Sequence, residues 1–453
     1  MKNVVIIGNG VAGITAARHI RKRSDDRITV IGSETRHFFS RTALMYIYMG
    51  HMTYEQTKPY EDWFWKKNRI DLVHDHVMHI DTGEKKLHLA SDGTLSYDSL
   101  IIATGSLPNK FGWSGQDLRG VQGLYSMQDL EAMERNTAGI DRAVIVGGGL
   151  IGIEMAEMLR SRGIDVTFLV REESYWNNIL PPEESAMVNR HIRDHGIHLR
   201  LSTELDAILP DDNGGVRAVR TGGGDELSCQ FVGLTAGVHP NIAVCRGSGI
   251  ATERGVLVNS FFEANLRDVY AIGDCAEFVA TDGEKSHVEQ LWYTARMHGE
   301  ALAAILYGER KAYDRGILFN SAKFLDIEYQ TYGEVPAKLE GLQSLYWEHP
   351  GGTRAIRIVY DEGSVVRGFN LMGIRYRHRV CEQWITEERT VPHVLRQLGA
   401  SNFDPEFSRQ FERELVASWN AQHPEQALHL RRGRGLRLRR ALSPKRSSEG
   451  ASA

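Results

Sequence analysis

The sequence predicts an α/β fold in which one strand, glycine-turn, helix, strand unit occurs twice, followed by an α+β region. Three observations predict it. VVIIGNGVAGITAARHI runs from a short apolar stretch through a glycine turn into helical periodicity. The same order returns at an offset of 139 residues in RAVIVGGGLIGIEMAEMLRSRGIDVTFLV. Downstream, KFLDIEYQTYG and AIRIVYDEGSVVRGFNLMG alternate with the period of an antiparallel sheet.

In the first unit, residues 4–7 read as a buried parallel strand and Gly8, Gly10 and Gly13 form GxGxxG. Gly8 permits the tight turn, Gly10 lets a pyrophosphate approach the backbone, and Gly13 lets helix and strand pack closely. The helix N-terminus then presents free N–H groups and its positive dipole end to the phosphates. RITVIGSE ends a second strand, where Glu34 is placed to take ribose hydroxyls. Gly147, Gly149 and Gly152 repeat the pattern, and two grips imply two dinucleotides.

Composition is that of a globular protein: 42% apolar, 25% charged, formal net charge −4. That balance marks neither a nucleic-acid binder nor a membrane protein as a whole. The charge is uneven, however. Residues 431–446 hold eight Arg or Lys and no acid, so with Glu449 the tail carries +7 and residues 1–430 carry −11. The apolar run AVIVGGGLIGI is too short and glycine-broken to span a bilayer. An apolar run already starting at Val4 leaves almost no room for a secretory presequence. Cys229, Cys245, Cys275 and Cys381 lack the close spacing of a zinc site or redox dithiol, which fits a reducing, cytoplasmic setting. No metal site is expected: His74, His76 and His79 in DLVHDHVMHI suit one face of a strand.

With these motifs the sequence resembles the two-dinucleotide-binding-domain flavoproteins, the pyridine nucleotide-disulfide oxidoreductase superfamily, over about residues 1–335. YDSLIIATGSLPN is similar to the segment closing the FAD domain, with Ala103, Thr104 and Gly105 at the turn. GLTAGVHPN, with Gly237, is similar to the exit from the NAD domain. DVYAIGDCAEF resembles the second FAD motif, with Gly273 and Asp274 at its ribityl and phosphate positions; a carboxylate suits ribityl hydroxyls because it only accepts. The resemblance implies two Rossmann-like, three-layer ββα domains, one inserted in the other: FAD-binding at 1–117 and 252–318, NAD(P)H-binding at 118–251. An interface domain follows at 319–427, with HVLRQLGA and PEFSRQFERELVASW helical, and then a basic disordered tail at 428–453. The tail reads as a solvated end, with binding of an anionic partner as the alternative.

Within that superfamily, the disulfide-reducing branches place reactive cysteine after the first βαβ unit. This chain has HFFSRTALMY there. That stretch resembles the corresponding segment of rubredoxin and ferredoxin reductases and of nitrite reductase flavin parts, with Arg41 in place of a lysine. The resemblance implies an Arg41 to Glu154 ion pair near flavin N5, with Arg41 acting electrostatically because a guanidinium keeps its proton. Gln290 and Trp292 begin a helix beneath the flavin, and Cys275 is packing. Arg171, with no acid at Val170, leans toward tolerance of the NADP phosphate, whereas Glu172 and Glu173 lean toward NAD. The implied function is an FAD-dependent NAD(P)H oxidoreductase passing electrons to a small redox protein or another acceptor. Direct reduction of oxygen is a second enzymatic reading. The alternative from another class is a flavoprotein resembling apoptosis-inducing factor, with a binding or sensing role. The sequence leaves open whether the interface region forms a homodimer.

Overall fold

A computed structural model describes residues 1–279, 285–404, 406 and 409–430. The chain divides into two compact units, Met1–Tyr329 and Gln330–Ala453.

Apolar runs buried on both faces make parallel strands, and the first unit holds two sheets built this way. In one, the order is Val269–Ala271, Ser99–Ile102, Asn3–Ile7, Arg27–Gly32, Ile70–His74, all parallel. In the other, Val121–Gln122, Phe231–Leu234, Arg142–Val146, Asp165–Leu169 and His198–Arg200 follow the same order, also parallel. Each sheet has a three-stranded antiparallel companion: Val77–Asp81, Lys86–Leu89, Thr94–Ser96 for the first and Leu205–Pro210, Val216–Thr221, Glu226–Ser228 for the second. Helices Val11–Arg21 and Leu150–Ser161 follow the two glycine turns. The fold is therefore α/β, with two ββα units of one design.

Two short segments join them. Ser106–Pro108 pairs antiparallel with Val238–Pro240, Thr104 Oγ1 donates to Asn241 O at 2.6 Å, and Asn241 N donates to Gly105 O at 2.9 Å. Gly237, at φ +88°, sits in this crossing, where Asn109 N donates to its carbonyl at 3.0 Å.

The second unit is entered within the strand Ile327–Gly333. It contains the antiparallel strands Gln343–Glu348, Ala355–Tyr360 and Val366–Met372, then helices His378–Thr386, Val391–Gln397 and Glu412–Gln422. The last helix begins later than PEFSRQFERELVASW suggests. Leu428 is also anchored rather than free: it is buried, and its N–H donates to Asn420 Oδ1 at 2.7 Å. The rest of the predicted tail, residues 431–453, lies outside the described residues.

Candidate functional site

The glycine turns behave differently position by position. Gly8 is at φ +116°, and a Cβ there would lie 2.0 Å from Ala103 O. Gly147 is at φ +118°, with Thr235 O at 2.6 Å. The third glycines are packing positions: a Cβ on Gly13 would meet Gly8 O at 2.1 Å, and one on Gly152 would meet Gly147 O at 2.5 Å. Gly10 and Gly149 instead face open space, with nothing within 4 Å. Both are extended N-caps of helices that carry no acid in the first turn and no side-chain cap. The first N–H groups of both helices are thus left for an outside acceptor, as a pyrophosphate requires. The residues present fit two dinucleotides.

A cleft of about 660 Å³ opens at the C-terminal ends of the first sheet, where doubly wound sheets bind ligands. Gly8 and Gly10 line it on one side, with Glu34 and Arg41 from the following loop. Ala103, Thr104 and Gly105 come from the turn after strand Ser99–Ile102, and Glu154 from the helix Leu150–Ser161 after the second glycine turn. Gly273, Asp274, Gln290 and Trp292 complete the predicted members, and Trp292 is 37% exposed. Gly13, Gly147, Gly149, Gly152, Arg171 and Gly237 are not among the lining residues. Cys275 is fully buried behind the cleft, its Sγ donating to Ile272 O at 3.3 Å. Burial pushes Cys229 and Cys245 up to about 12, so they stay protonated and unreactive at neutral pH.

The expected Arg41 to Glu154 ion pair is not the pairing found. Arg41 Nη2 and Nη1 bind Glu34 Oε2 and Oε1 at 2.5 and 3.0 Å, and Nη1 also donates to Tyr125 O. The guanidinium lies 4.4 Å from the Tyr125 ring centroid. The cause is local: the 3-10 turn Arg41–Ala43 folds the loop back on the strand that ends just before Glu34. Glu34 in turn accepts from Met127 N at 2.8 Å, leaving about one of its roughly four lone-pair positions for a ribose hydroxyl. Burial lowers the affinity of Arg41 for its proton, but the hydrogen bond and charge of Glu34 outweigh it, and the group is held above its ordinary range.

Glu154 keeps different company. Lys323, whose charge acts on it, is bound to Glu157 at 2.8 Å. Burial first, and the Glu157 charge second, push the Glu154 carboxyl up to about 7. The folded protein therefore holds this proton more tightly than the unfolded chain does. Its stabilising contribution is complete below the ordinary carboxyl range and disappears as pH rises through about 7. The FAD-loaded protein is expected to lose Tm between about pH 5 and about pH 8 more steeply than Glu154→Gln does. Parallel Tm curves would show that Glu154 is already ionised at the lower pH.

Several residues around Asp274 escaped the motif reading. Asp274 Oδ2 accepts from Ser106 Oγ at 3.0 Å, and Gln290 Nε2 donates to the same Oγ at 3.0 Å. Burial raises the Asp274 carboxyl despite the Ser106 hydrogen bond and the Arg41 charge. Behind it, Gly273 N donates to Nδ1 of the fully buried His298 at 3.0 Å. His298 must therefore carry its proton on Nε2, which meets Glu289 Oε2 at 2.9 Å. Burial alone would raise Glu289, but His298, Tyr313 and Arg315 hold it below its ordinary range. Thr294, His298 and Leu302 recur on the buried face of one helix, and a histidine in that apolar stripe is the signal that a buried polar partner exists. The histidine-rich stretch is also not one strand: it divides between Ile70–His74 and Val77–Asp81, with His76 lining the cleft.

The chain is similar to nitrite reductase [NAD(P)H] of Bacillus subtilis, 27% identical over 337 residues, which are 74% of this chain and 41% of that protein. It thus spans less than half of that relative. It is similar to rubredoxin-NAD(+) reductase of Acinetobacter baylyi, 31% identical over 290 residues, 62% of this chain and 74% of that one. Its fold matches the structure of the covalent putidaredoxin reductase-putidaredoxin complex with a TM-score of 0.77 at 22% identity, covering 93% of this chain and 99% of that chain. The family model described as pyridine nucleotide-disulphide oxidoreductase matches residues 2–299, which contain both glycine cradles and the Gly273-Asp274 turn. The chain belongs to the pyridine nucleotide-disulphide oxidoreductase family, and FAD and NAD(P)H are its cofactors.

Proposed function

We propose that this chain is an NADH-dependent flavoprotein reductase that passes electrons to a separate small redox protein. The observation that carries the reading is the cleft: an open Gly10 cradle at one end, Asp274 with its Ser106 and Gln290 supports at the other, and no cysteine in its lining. Gly10 and Asp274 would hold FAD, which would supply the hydride acceptance and electron release that side chains alone cannot. Without a dithiol in the cleft, the acceptor must come from outside, as the names of the rubredoxin-NAD(+) and ferredoxin reductase relatives indicate for those proteins. FAD is assigned to 1–117 and 252–318, and the nicotinamide nucleotide to 118–251. A cytoplasmic location is part of the proposal, supported by four unpaired, buried cysteines. Among the described residues no helix is long and apolar enough to cross a membrane.

The choice of NADH rests on Glu172. Its Oε2 lies 3.7 Å from where a Cβ on Gly148 would stand, which puts the carboxylate over the second glycine turn. Arg171 is turned onto Glu172 Oε1, with Nη2 at 2.9 Å, so its charge is not free for a 2'-phosphate. A carboxylate accepts from ribose hydroxyls and repels that phosphate. In anaerobic stopped-flow mixing, NADH is expected to bleach the flavin with an efficiency at least about tenfold above NADPH, a difference of about 1.4 kcal/mol. Glu172→Gln is expected to narrow that ratio. Flavin reduction that is slow with both nucleotides would overturn the reductase reading. Rapid reduction with NADPH preferred would overturn only the role of Glu172.

A further inference from the structure

We propose that His191, His195 and Asp326 form a binding site for a divalent transition ion of the zinc class. His191 lies in the last turn of helix Pro182–Asp194 and His195 caps it, so the two stand one helical turn apart on one face. Their ring centroids are 4.3 Å apart. Asp326 reaches them from the turn between strands Phe319–Phe324 and Ile327–Gly333. One ligand atom from each residue lies within 4.8 Å of the others.

Hydrogen bonding orients the donors. His195 Nδ1 lies 2.9 Å from His191 O. A carbonyl only accepts, so Nδ1 carries a proton and Nε2 is the ring nitrogen left to ligate. That nitrogen faces Asp326 Oδ1 at 3.4 Å, and a carboxylate also only accepts. Nε2 and the carboxylate oxygen stand close enough for one cation to be held by both. His191 Nε2 contacts the same Oδ1 and, in the ion-free state, is the donor to it. Metal ligation through Nε2 replaces that hydrogen bond, and the ligating imidazole then carries its one proton on Nδ1. The backbone carbonyl behind His195 is the outer partner that commonly fixes the tautomer of a ligating imidazole.

Two imidazoles and one carboxylate suit zinc, with solvent supplying a fourth ligand. The exposures agree with this: the His191 side chain is 6% exposed, His195 38% and Asp326 71%, a closed base with an open rim. None of the three lines the cofactor cleft, so the ion would act as a clip between helix and turn, not in electron transfer.

The test is calorimetric titration of Zn2+ into the tag-free, EDTA-treated and dialysed FAD-loaded protein, with Tm measured in parallel. One equivalent of Zn2+ is expected to bind and to raise Tm. Because His191 is buried, the variants are His195→Ala and Asp326→Asn, whose side chains are exposed enough for the fold to persist. Each is expected to weaken binding about tenfold or more and to abolish the Tm rise. No stoichiometric binding by the parent protein, or an equal affinity in both variants, would overturn the site.

Discussion

Gly8→Ala is expected to give little or no soluble protein, whereas Gly10→Ala is expected to fold and fail to retain FAD. The contrast follows from where the missing Cβ would go. At Gly8 it would stand 2.0 Å from Ala103 O, and the backbone at φ +116° lies in a region that side chains disfavour. Ala103 follows the strand Ser99–Ile102, which is held between Asn3–Ile7 and Val269–Ala271, so its carbonyl has no room to retreat. Backbone strain of about 1–3 kcal/mol adds to an overlap that must shift the strand, against a total stability of about 5–15 kcal/mol. At Gly10 φ is −74° and the space is open, so the same methyl group costs the empty protein little. Its effect is on the pyrophosphate, which loses its close approach to the helix N-terminus. The measurements are soluble yield, Tm and the ratio of flavin to protein absorbance after purification. Gly10→Ala should match the parent in yield and fall at least about tenfold in FAD affinity, about 1.4 kcal/mol. The second turn supplies the control: Gly147→Ala should behave like Gly8→Ala, and Gly149→Ala should retain FAD while losing affinity for NADH. Full FAD retention by Gly10→Ala would mean that the pyrophosphate lies elsewhere.

Those positions were legible in the sequence because a glycine required by the backbone is recorded as a residue identity at a fixed offset. The apolar runs before Gly8 and Gly147 likewise announce buried parallel strands, and both sheets have the order that two such units imply. Side-chain partners are recorded nowhere so directly. Arg41 and Glu34 are seven residues apart in a loop without periodicity, and only the turn at Arg41–Ala43 brings them together. His298 meets Gly273 across 25 residues, and Asp326 meets His191 across 135. A resemblance supplied a partner for Arg41, namely Glu154, but the burial of Glu154 beside Glu157 is a property of this packing, which no motif carries.

Replacing that expected pair by the observed one gives a result that double-mutant cycles can read. Arg41→Ala leaves the Glu34 carboxylate, 18% exposed, without its bidentate partner at the wall of the cleft. An unpaired anion there opposes a cofactor that is itself anionic, so FAD affinity should fall together with Tm. Glu34→Gln removes the charge that Arg41 neutralises, so adding Arg41→Ala to it should cost less than Arg41→Ala alone. The coupling of Arg41 with Glu34 is expected at about 1–3 kcal/mol in FAD binding, and that of Arg41 with Glu154 within about 0.5 kcal/mol. Arg41→Lys should recover only part of the loss, because an ammonium is a point charge and cannot span both carboxylate oxygens. The cycle is run on FAD affinity because both acids line the cleft that would hold the cofactor, and the pairing that matters is the one that survives its arrival. If Arg41 couples to Glu154 more strongly than to Glu34, the guanidinium turns across the cleft when FAD binds. The Glu34 bond would then belong to the empty cleft alone, and Arg41 would move between two carboxylates as the cofactor loads.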